Sequence, residues 1–206
     1  MTSFYLTNHE CKLRLVGPWD KAVFYWINGW PDGLDPLFQL MSQGNRWWSV
    51  RIFLGVLAVL LVSIKRTRVV AILSLCGWPL SNLITDVLKG TFQMGRPCVV
   101  LSDVHLRVEL LTSYGTASAH AANMAAVATV FALYFGWKAW PAVLVAFLVG
   151  LSRIYVGVHF PSQVLLGWLV GALAGLIVAK TYEAYLRVRD RTATGDLPDA
   201  SPAEES

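Results

Sequence analysis

The chain has 206 residues, of which 55% are hydrophobic and only 15% are charged. Its mean hydropathy of +0.51 and its nine tryptophans are unusual for a soluble domain of this length and typical of a protein built from membrane-spanning helices. The formal net charge is +4, but the basic residues fall between apolar runs and do not form one solvated face. This distribution argues against a nucleic-acid-binding protein.

Aromatic residues dominate a broken region near the N-terminus, residues 19–44. Pro31, Gly33 and Pro36 divide it into two segments, neither of which is long enough to cross a bilayer. We therefore expect an N-terminal tail over 1–18, followed by two amphipathic helices that lie in the membrane interface. A sixth crossing through this region is the alternative, and the charged residues within it make that crossing costly.

Five apolar runs follow, each close to the roughly 20 residues that a helix needs to cross a bilayer. They cover residues 47–64, 69–88, 117–137, 139–157 and 164–182. The predicted fold class is therefore an all-α, polytopic transmembrane helix bundle, with one membrane-integral domain over 19–186. From residue 187 the sequence turns polar and rich in Pro, Asp and Glu, which predicts a disordered cytoplasmic tail over 187–206.

The basic residues between the spans set the predicted orientation in the membrane. They cluster at 65–68, at Lys138 and after the last span, and these three places fall on one side of the membrane by alternation. That side is predicted to be cytoplasmic. The loops at 89–116 and 158–163 then lie together on the non-cytoplasmic side.

Three polar clusters interrupt the apolar sequence, and all of them fall at this non-cytoplasmic end of the helices. They are Lys89 with Arg96 and Pro97, Ser118 with His120, and Arg153 with His159. Each cluster alone has an ordinary explanation, since a lysine can pair with a nearby aspartate, serine is a favoured helix cap, and a single histidine at a helix end is more often structural. Together, however, three cations beside a bilayer are costly unless they hold an anion.

These residue types suffice for phosphoryl transfer. Lys89, Arg96 and Arg153 can neutralise phosphoryl oxygens, and the arginine fork matches phosphate geometry. The two histidines can divide the work between nucleophilic attack and protonation of the leaving oxygen. Gln163, four residues after His159, can orient its imidazole. No group of Asp or Glu accompanies the clusters, so the sequence predicts neither a metal site nor a cofactor.

The pattern Lys89-x6-Arg96-Pro97, then Ser118-x-His120, then Ser152-Arg153-x5-His159 resembles the three signature motifs of the type-2 phosphatidic acid phosphatase family, which is related to bacterial acid phosphatases and vanadium haloperoxidases. The resemblance covers residues 89–163 and implies a bacterial-type, membrane-integral lipid phosphatase that needs no metal. It implies that His159 is the nucleophile and becomes a phosphohistidine, and that His120 is the general acid. It also implies that the phosphoryl oxygens are held by Lys89, Arg96, Ser118 and Arg153.

Two places depart from the family's pattern. The second motif commonly reads Pro-Ser-Gly-His, whereas this chain has Ala117 and Ala119 on either side of the serine. The third motif commonly has Asp four residues after the histidine, and here Gln163 can orient the imidazole without adding negative charge. Glutamine at this place resembles the active glucose-6-phosphatase and dolichyl-diphosphatase branches, so the change does not predict an inactive site. We expect Gln163→Asp to preserve or raise turnover.

The expected function is removal of phosphate from a lipid phosphate or diphosphate of the undecaprenyl diphosphate, phosphatidylglycerol phosphate, phosphatidic acid or lipid A type. The expected location is the plasma (inner) membrane of a bacterium, and the expected partners are the lipid substrate and the bilayer, with no nucleic acid. Three alternatives stay open: a phosphatase of a soluble sugar phosphate, a lipid-to-lipid phosphotransferase and a non-catalytic lipid-binding membrane protein.

Two further features allow more than one interpretation. A small-residue stripe in the last span serves either packing within the bundle, which is favoured, or a homo-oligomer contact. The stripe consists of Gly167, Gly171 and Gly175. The loop that faces the site could contribute to head-group selection, although the sequence does not rank its polar residues. These are Asp103, His105, Arg107, Glu109 and Tyr114.

Overall fold

The computed structural model describes residues 17–194, which contain eight α-helices and no strand. The helices are, in chain order, α1 (Pro18–Asn28), α2 (Asp35–Gln43), α3 (Trp48–Ser63), α4 (Lys65–Phe92), α5 (Pro97–Val100), α6 (Ala119–Phe135), α7 (Trp140–Tyr155) and α8 (Pro161–Thr194). Short 3-10 turns lie at Asp32–Leu34, Gly44–Arg46 and Gly136–Ala139. The predicted all-α helix bundle is confirmed.

The two short N-terminal helices pack on the end of α7. The ring of Phe38 in α2 lies 4.5 Å from that of Tyr155, and the ring of Phe24 in α1 lies 5.5 Å from that of Phe160. Both phenylalanines are buried, whereas other apolar side chains of these helices, such as Trp26, are exposed. The region therefore forms two amphipathic helices, which rest directly on the loop that carries the third motif. Their position in the membrane interface stays a prediction.

Three helical stretches of the described residues are long and apolar enough to cross a membrane: Lys65–Val100, Ala119–Tyr155 and Pro161–Ala193. A fourth results if Asp32–Gln43 and Trp48–Ser63, which meet at an angle of 54°, are counted as one broken span. The sequence predicted five spans. The count differs because α3 has only 16 residues and because the second stretch joins two predicted spans.

Within that second stretch, α6 and α7 fold back on each other. Gly136 has φ +56° and opens the 3-10 turn between the two helices, a conformation that glycine adopts without steric cost. The two helices also pack against each other. His120 at the start of α6 and Arg153 at the end of α7 lie within electrostatic reach of each other. The two predicted spans are therefore separate antiparallel helices whose far ends meet.

The glycine stripe of α8 packs against α6 in the middle of the bundle. A Cβ atom at Gly167 would stand 2.6 Å from the carbonyl oxygen of Ser118, and one at Gly175 would stand 2.6 Å from that of Ala126. At Gly171 it would overlap an α6 carbonyl. All three glycines are buried within the chain. The stripe therefore allows close helix packing inside the bundle, the interpretation favoured from the sequence, and a homo-oligomer contact through it stays a prediction.

Helix α8 runs to Thr194, beyond residue 187, where the sequence predicted that disorder begins. Near this end, Glu183 lies 2.8 Å from Lys180 and 4.0 Å from Arg187, at spacings that support a helix. Local charge pairing thus continues the helix past its apolar part. The rest of the predicted tail, like the first 16 residues, lies outside the described part of the chain.

Candidate active site

The predicted site residues lie at one end of the bundle. Helices α4 and α7 end there, α6 and α8 begin there, and α5 forms one turn beside them. His159 lies in the short loop between α7 and α8 and is almost fully buried. The backbone N–H groups of Val158 and His159 both donate to the carbonyl oxygen of Arg153, at 3.2 and 3.1 Å, so the loop closes tightly over the end of α7.

Hydrogen bonds fix which ring nitrogen of His159 carries the proton. Nδ1 lies 3.0 Å from Oε1 of Gln163, and Nε2 lies 2.8 Å from Nη1 of Arg96. Because a guanidinium can only donate hydrogen bonds, Nε2 must be the acceptor. The proton is therefore on Nδ1, and Nε2 holds the lone pair that a nucleophile requires.

The surroundings also keep this ring neutral. Burial first, and then the positive charges of Arg96 and Arg153, lower the pKa of His159 well below its ordinary value, while the hydrogen bond to Gln163 opposes the shift. A neutral imidazole at neutral pH is the reactive form for attack on phosphorus.

Gln163 makes more contacts than the sequence predicted. Its Oε1 accepts from Nδ1 of His159 and also from the backbone N–H of Phe160, at 3.2 Å. Its Nε2 donates to the carbonyl oxygen of Gly95, at 2.8 Å. The amide is fully buried and ties the first motif to the third. A carboxylate at this position would orient the imidazole but would offer the Gly95 carbonyl no donor.

The guanidinium of Arg96 is saturated by the protein. Nε donates to the carbonyl of Ser113 at 2.7 Å, and Nη2 donates to the hydroxyl of Ser113 and the carbonyl of Tyr114, both at 3.2 Å. Nη1 donates to the carbonyl of Val158 at 3.2 Å in addition to His159. All five N–H groups are thus used. Arg96 holds the loop before α6 in place and sets a positive charge beside the candidate nucleophile.

Arg153 differs in this respect. It lies in the last turn of α7 and is 4% exposed. Nη1 donates to the carbonyl oxygen of Ser42 at 3.0 Å and is also hydrogen-bonded to the Ser42 hydroxyl. Nε is buried and has no hydrogen-bond partner among the described residues. Arg153 therefore keeps one buried N–H donor that no described residue satisfies.

Lys89 and His120 complete the charged group. Nζ of Lys89 lies 2.9 Å from Oδ1 of Asp86, the pairing expected from their spacing. His120, in the first turn of α6, is within electrostatic reach of Lys89, Arg96 and Arg153, and also of His159. The structure therefore brings the two histidines and the three predicted cations into one site.

Ser118 acts as the cap of α6. Its hydroxyl accepts from the backbone N–H of Ala121 at 3.5 Å, and its own N–H donates to the carbonyl of Gln163 at 2.9 Å. The residue is fully buried. These contacts match the structural explanation of this serine and place it next to the loop that holds His159.

Sequence reasoning missed how the N-terminal helices anchor this loop. Asp20 of α1 accepts from the backbone N–H and the hydroxyl of Ser162, at 2.8 and 2.6 Å, and so caps α8. Asn28 donates to the carbonyls of His105 and Tyr155, at 2.9 and 2.8 Å. A signal was present in the sequence, since buried polar side chains in an aromatic segment need partners, but it indicated no particular partner.

Two of the loop residues considered for head-group selection, Arg107 and Glu109, form ion pairs. Arg107 is nearly buried, pairs with Asp32 at 2.8 Å and Asp35 at 2.9 Å, and lies over the ring of Tyr155 at 4.2 Å. It therefore fastens the loop to the N-terminal helices and is not free to bind a head group. Glu109 pairs with Arg46 at 2.7 Å on the exposed surface.

A metal site is not apparent among residues 17–194, since no three His, Cys, Asp or Glu side chains there lie close enough together to hold an ion. The positive charges of Lys89, Arg96 and Arg153 all stand within electrostatic reach of His120.

Comparison with known proteins identifies relatives over most of the membrane region. The model of the PAP2 superfamily matches residues 69–187. The undecaprenyl-diphosphatase of Sulfolobus acidocaldarius is 31% identical over 140 residues, which cover 68% of this chain and 66% of that protein. The lipid A 4'-phosphatase of Porphyromonas gingivalis is 36% identical over 90 residues, which cover 41% of this chain and 36% of its own length.

A solved structure supports the same relationship. The crystal structure of Aquifex aeolicus LpxE aligns with a TM-score of 0.64 and 30% identity, covering 77% of this chain and 93% of that one. With relatives named as phosphatases of a lipid phosphate and a lipid diphosphate, the predicted class of membrane-integral lipid phosphatase is confirmed at the level of the family. The matched region, the helical fold and the three motifs in order show that the chain belongs to the PAP2 superfamily.

Proposed function

We propose that this protein is a metal-independent membrane phosphatase that removes phosphate from a lipid phosphate or diphosphate through a phosphohistidine at His159. One observation carries the proposal: Nε2 of a buried, neutral His159 holds its lone pair in a cluster of fixed cations, with Nη1 of Arg96 at 2.8 Å. A buried positive cluster beside a nucleophilic nitrogen favours an anionic ester over a neutral substrate.

In the first step, Nε2 of His159 attacks phosphorus as the P–O bond to the leaving group breaks. His120 gives its proton to the leaving oxygen, and the negative charge of the bound ester favours the protonated ring beforehand. Arg153 binds a phosphoryl oxygen through Nε, while Lys89 and Arg96 supply positive charge. The Arg96 hydrogen bond to Nε2 breaks as the P–N bond forms.

In the second step, the neutral ring of His120 takes a proton from water, whose oxygen attacks phosphorus. The P–N bond breaks, its electrons return to Nε2 of His159, and inorganic phosphate leaves. Gln163 keeps Nδ1–H hydrogen-bonded throughout, so the ring holds its orientation while its charge changes.

The substrate class follows from the site and the relatives. The site lies at the ends of apolar helices, so a lipid substrate can present its head group there while its tail stays in the bilayer. The names undecaprenyl-diphosphatase and lipid A 4'-phosphatase support lipid-linked diphosphates and monophosphates as the compounds to test first.

The proposal includes an orientation in the plasma (inner) membrane of a bacterium. Basic residues at the end of the bundle opposite the site, such as Lys65, Arg66 and Lys138, are exposed, which supports a cytoplasmic position for that end. The site then faces the non-cytoplasmic side. A membrane-impermeant thiol reagent added to intact cells should label Asp103→Cys and should leave Lys138→Cys unlabelled; the reverse pattern contradicts the orientation.

A substrate panel tests the activity. Purified protein in vesicles, with EDTA present, should release phosphate from at least one of undecaprenyl diphosphate, a lipid A phosphate, phosphatidylglycerol phosphate and phosphatidic acid, and orthovanadate should block release. His159→Ala serves as the control. Release from glucose 6-phosphate alone indicates the soluble-substrate alternative, and transfer to an added lipid acceptor indicates a phosphotransferase. Binding of these lipids by folded wild-type protein without release indicates a non-catalytic lipid-binding protein.

A further inference from the structure

Ser42 lies 111 positions before Arg153 in the chain and contacts it directly. It occupies the C-terminal part of α2, outside the region that the superfamily model matches, and is 1% exposed. Its carbonyl oxygen accepts from Nη1 of Arg153 at 3.0 Å, and its hydroxyl oxygen is hydrogen-bonded to the same nitrogen. Ser42 of α2 thus holds one nitrogen of the buried Arg153 guanidinium in place.

This contact leaves the other edge of the guanidinium available. Nε of Arg153 is buried without a hydrogen-bond partner among the described residues. A buried donor without an acceptor is costly, and the cost is relieved when a ligand supplies the acceptor. The same guanidinium acts electrostatically on both His120 and His159, so the unpartnered donor belongs to the catalytic group.

The comparison with Arg96 shows why this matters. All five N–H donors of Arg96 are hydrogen-bonded to the protein, one of them to His159 itself. Arg153 is the arginine of the site with a buried donor still to satisfy. Because the guanidinium is planar and rigid, fixing Nη1 also fixes the direction of Nε.

Two contacts with Tyr155 hold helix α2, which carries Ser42, in place. Phe38 of α2 packs on the ring of Tyr155, at 4.5 Å between ring centroids. The hydroxyl of Tyr155 donates to Oδ1 of Asp35, at 2.6 Å. Helix α2 is therefore fastened to the end of α7, the helix that carries Arg153.

We propose that Ser42 is a positioning residue for Arg153: it orients the guanidinium so that Nε binds an oxygen of the phosphoryl group. The proposal rests on the proposed phosphatase function and adds a residue to it. It gives helix α2, outside the three motifs, a role in the phosphate site.

The test compares two variants of equal shape. Ser42→Thr keeps a hydroxyl and Ser42→Val replaces it by a methyl group, so the pair isolates the hydroxyl from the added bulk. Ser42→Val should lower kcat/KM relative to Ser42→Thr by about tenfold, the value of one hydrogen bond to a charged group. It should raise the inhibition constant for orthovanadate by a similar factor. Ser63→Ala, which removes a hydroxyl bonded within its own helix, should leave both unchanged.

A double-mutant cycle assigns the effect to Arg153. In an Arg153→Ala background, Ser42→Thr and Ser42→Val should have equal kcat/KM and equal vanadate inhibition. Equal kinetics of the two variants in the wild-type background overturn the proposal, and so does a difference that persists without Arg153. If the wild-type protein releases no phosphate, the proposed function fails on that result alone, and the dissociation constants of orthovanadate for the two variants then decide whether Ser42 orients an anion site.

Discussion

Nη1 of Arg96 lies 2.8 Å from Nε2 of His159, so the side chain that brings positive charge to the site also occupies the lone pair of the proposed nucleophile. Without substrate, every donor of this arginine is satisfied. The entering phosphate therefore exchanges one hydrogen bond for a covalent P–N bond, while the loop contacts of Arg96 stay in place. Rigid donors of this kind need little reorganisation during the reaction.

Gly115 provides a test of this rigid frame. A Cβ atom there would stand 2.8 Å from Cγ of Arg96 and 2.9 Å from Oε1 of Gln163, both closer than packed side chains tolerate. Gly115→Ala should displace both side chains and lower kcat by roughly 100-fold, since small misplacements in an active site have such effects. Gly55→Ala, at a helical position with nothing within 4 Å, is the matched control. An unchanged kcat in Gly115→Ala would show that activity does not depend on the exact positions of Arg96 and Gln163.

Gln163 has two separable tasks. Gln163→Leu removes the acceptor for His159 and the donor for Gly95, so both kcat and the thermal unfolding midpoint should fall, kcat by roughly 10- to 100-fold. Gln163→Glu keeps the acceptor and loses the donor, so its kcat should exceed that of Gln163→Leu although its midpoint also falls. Kinetics and thermal unfolding of the two variants check this, and equal kcat values would argue against an orienting role.

The Gly95 contact also bears on Gln163→Asp. From the sequence alone we expected that variant to preserve or raise turnover. The structure shows that this variant also loses stability, because the aspartate carboxylate cannot donate the hydrogen bond that Gln163 gives to the Gly95 carbonyl.

The depressed pKa of His159 predicts how stability depends on pH. Burial, Arg96 and Arg153 hold this pKa below the value of about 6.5 expected in the unfolded chain. The unfolded state therefore binds the proton more readily, and stability from this residue is present above pH 6.5 and lost as pH falls below it. Thermal unfolding midpoints between pH 7.5 and 5 should fall more steeply for the wild type than for His159→Asn. Parallel curves would mean that His159 has no depressed pKa.

The glycine stripe predicts a change in stability without a change in association. A Cβ atom at Gly171 would overlap an α6 carbonyl, so Gly171→Ala should destabilise the protein by about 1–3 kcal/mol through overpacking. Gly55→Ala again serves as the control. Light scattering in detergent should give the same mass for the wild type and both variants. A lower mass for Gly171→Ala with an unchanged unfolding midpoint would support the oligomer interpretation instead.

The sequence predicted which polar residues meet at one end of the bundle, because their positions follow from counting. Apolar runs of bilayer length fix which helix ends share a side, and Lys89, His120 and His159 all fall at the same end. The hydrogen-bond partners of these residues could not be predicted from the sequence. The donors of Arg96 end on backbone carbonyls at 113, 114 and 158, and a carbonyl has no signature in the sequence.

Contacts of the N-terminal helices were invisible for a different reason. Asp20 reaches Ser162 across 142 positions, and Ser42 reaches Arg153 across 111. No periodic pattern connects residues so far apart. Asp20 and Asp35 indicated only that the segment does not cross the membrane, whereas the structure shows that they anchor it to the site.

Trapping the covalent intermediate tests the central claim most directly. Wild-type protein mixed with a labelled lipid phosphate or diphosphate that it hydrolyses should be quenched in alkali within one turnover, digested and analysed by mass spectrometry. We predict a phosphoryl group on Nε2 of His159 in the wild type and none in His159→Ala. Full phosphate release with no label on His159, or labelling of another residue that survives His159→Ala, would contradict the account.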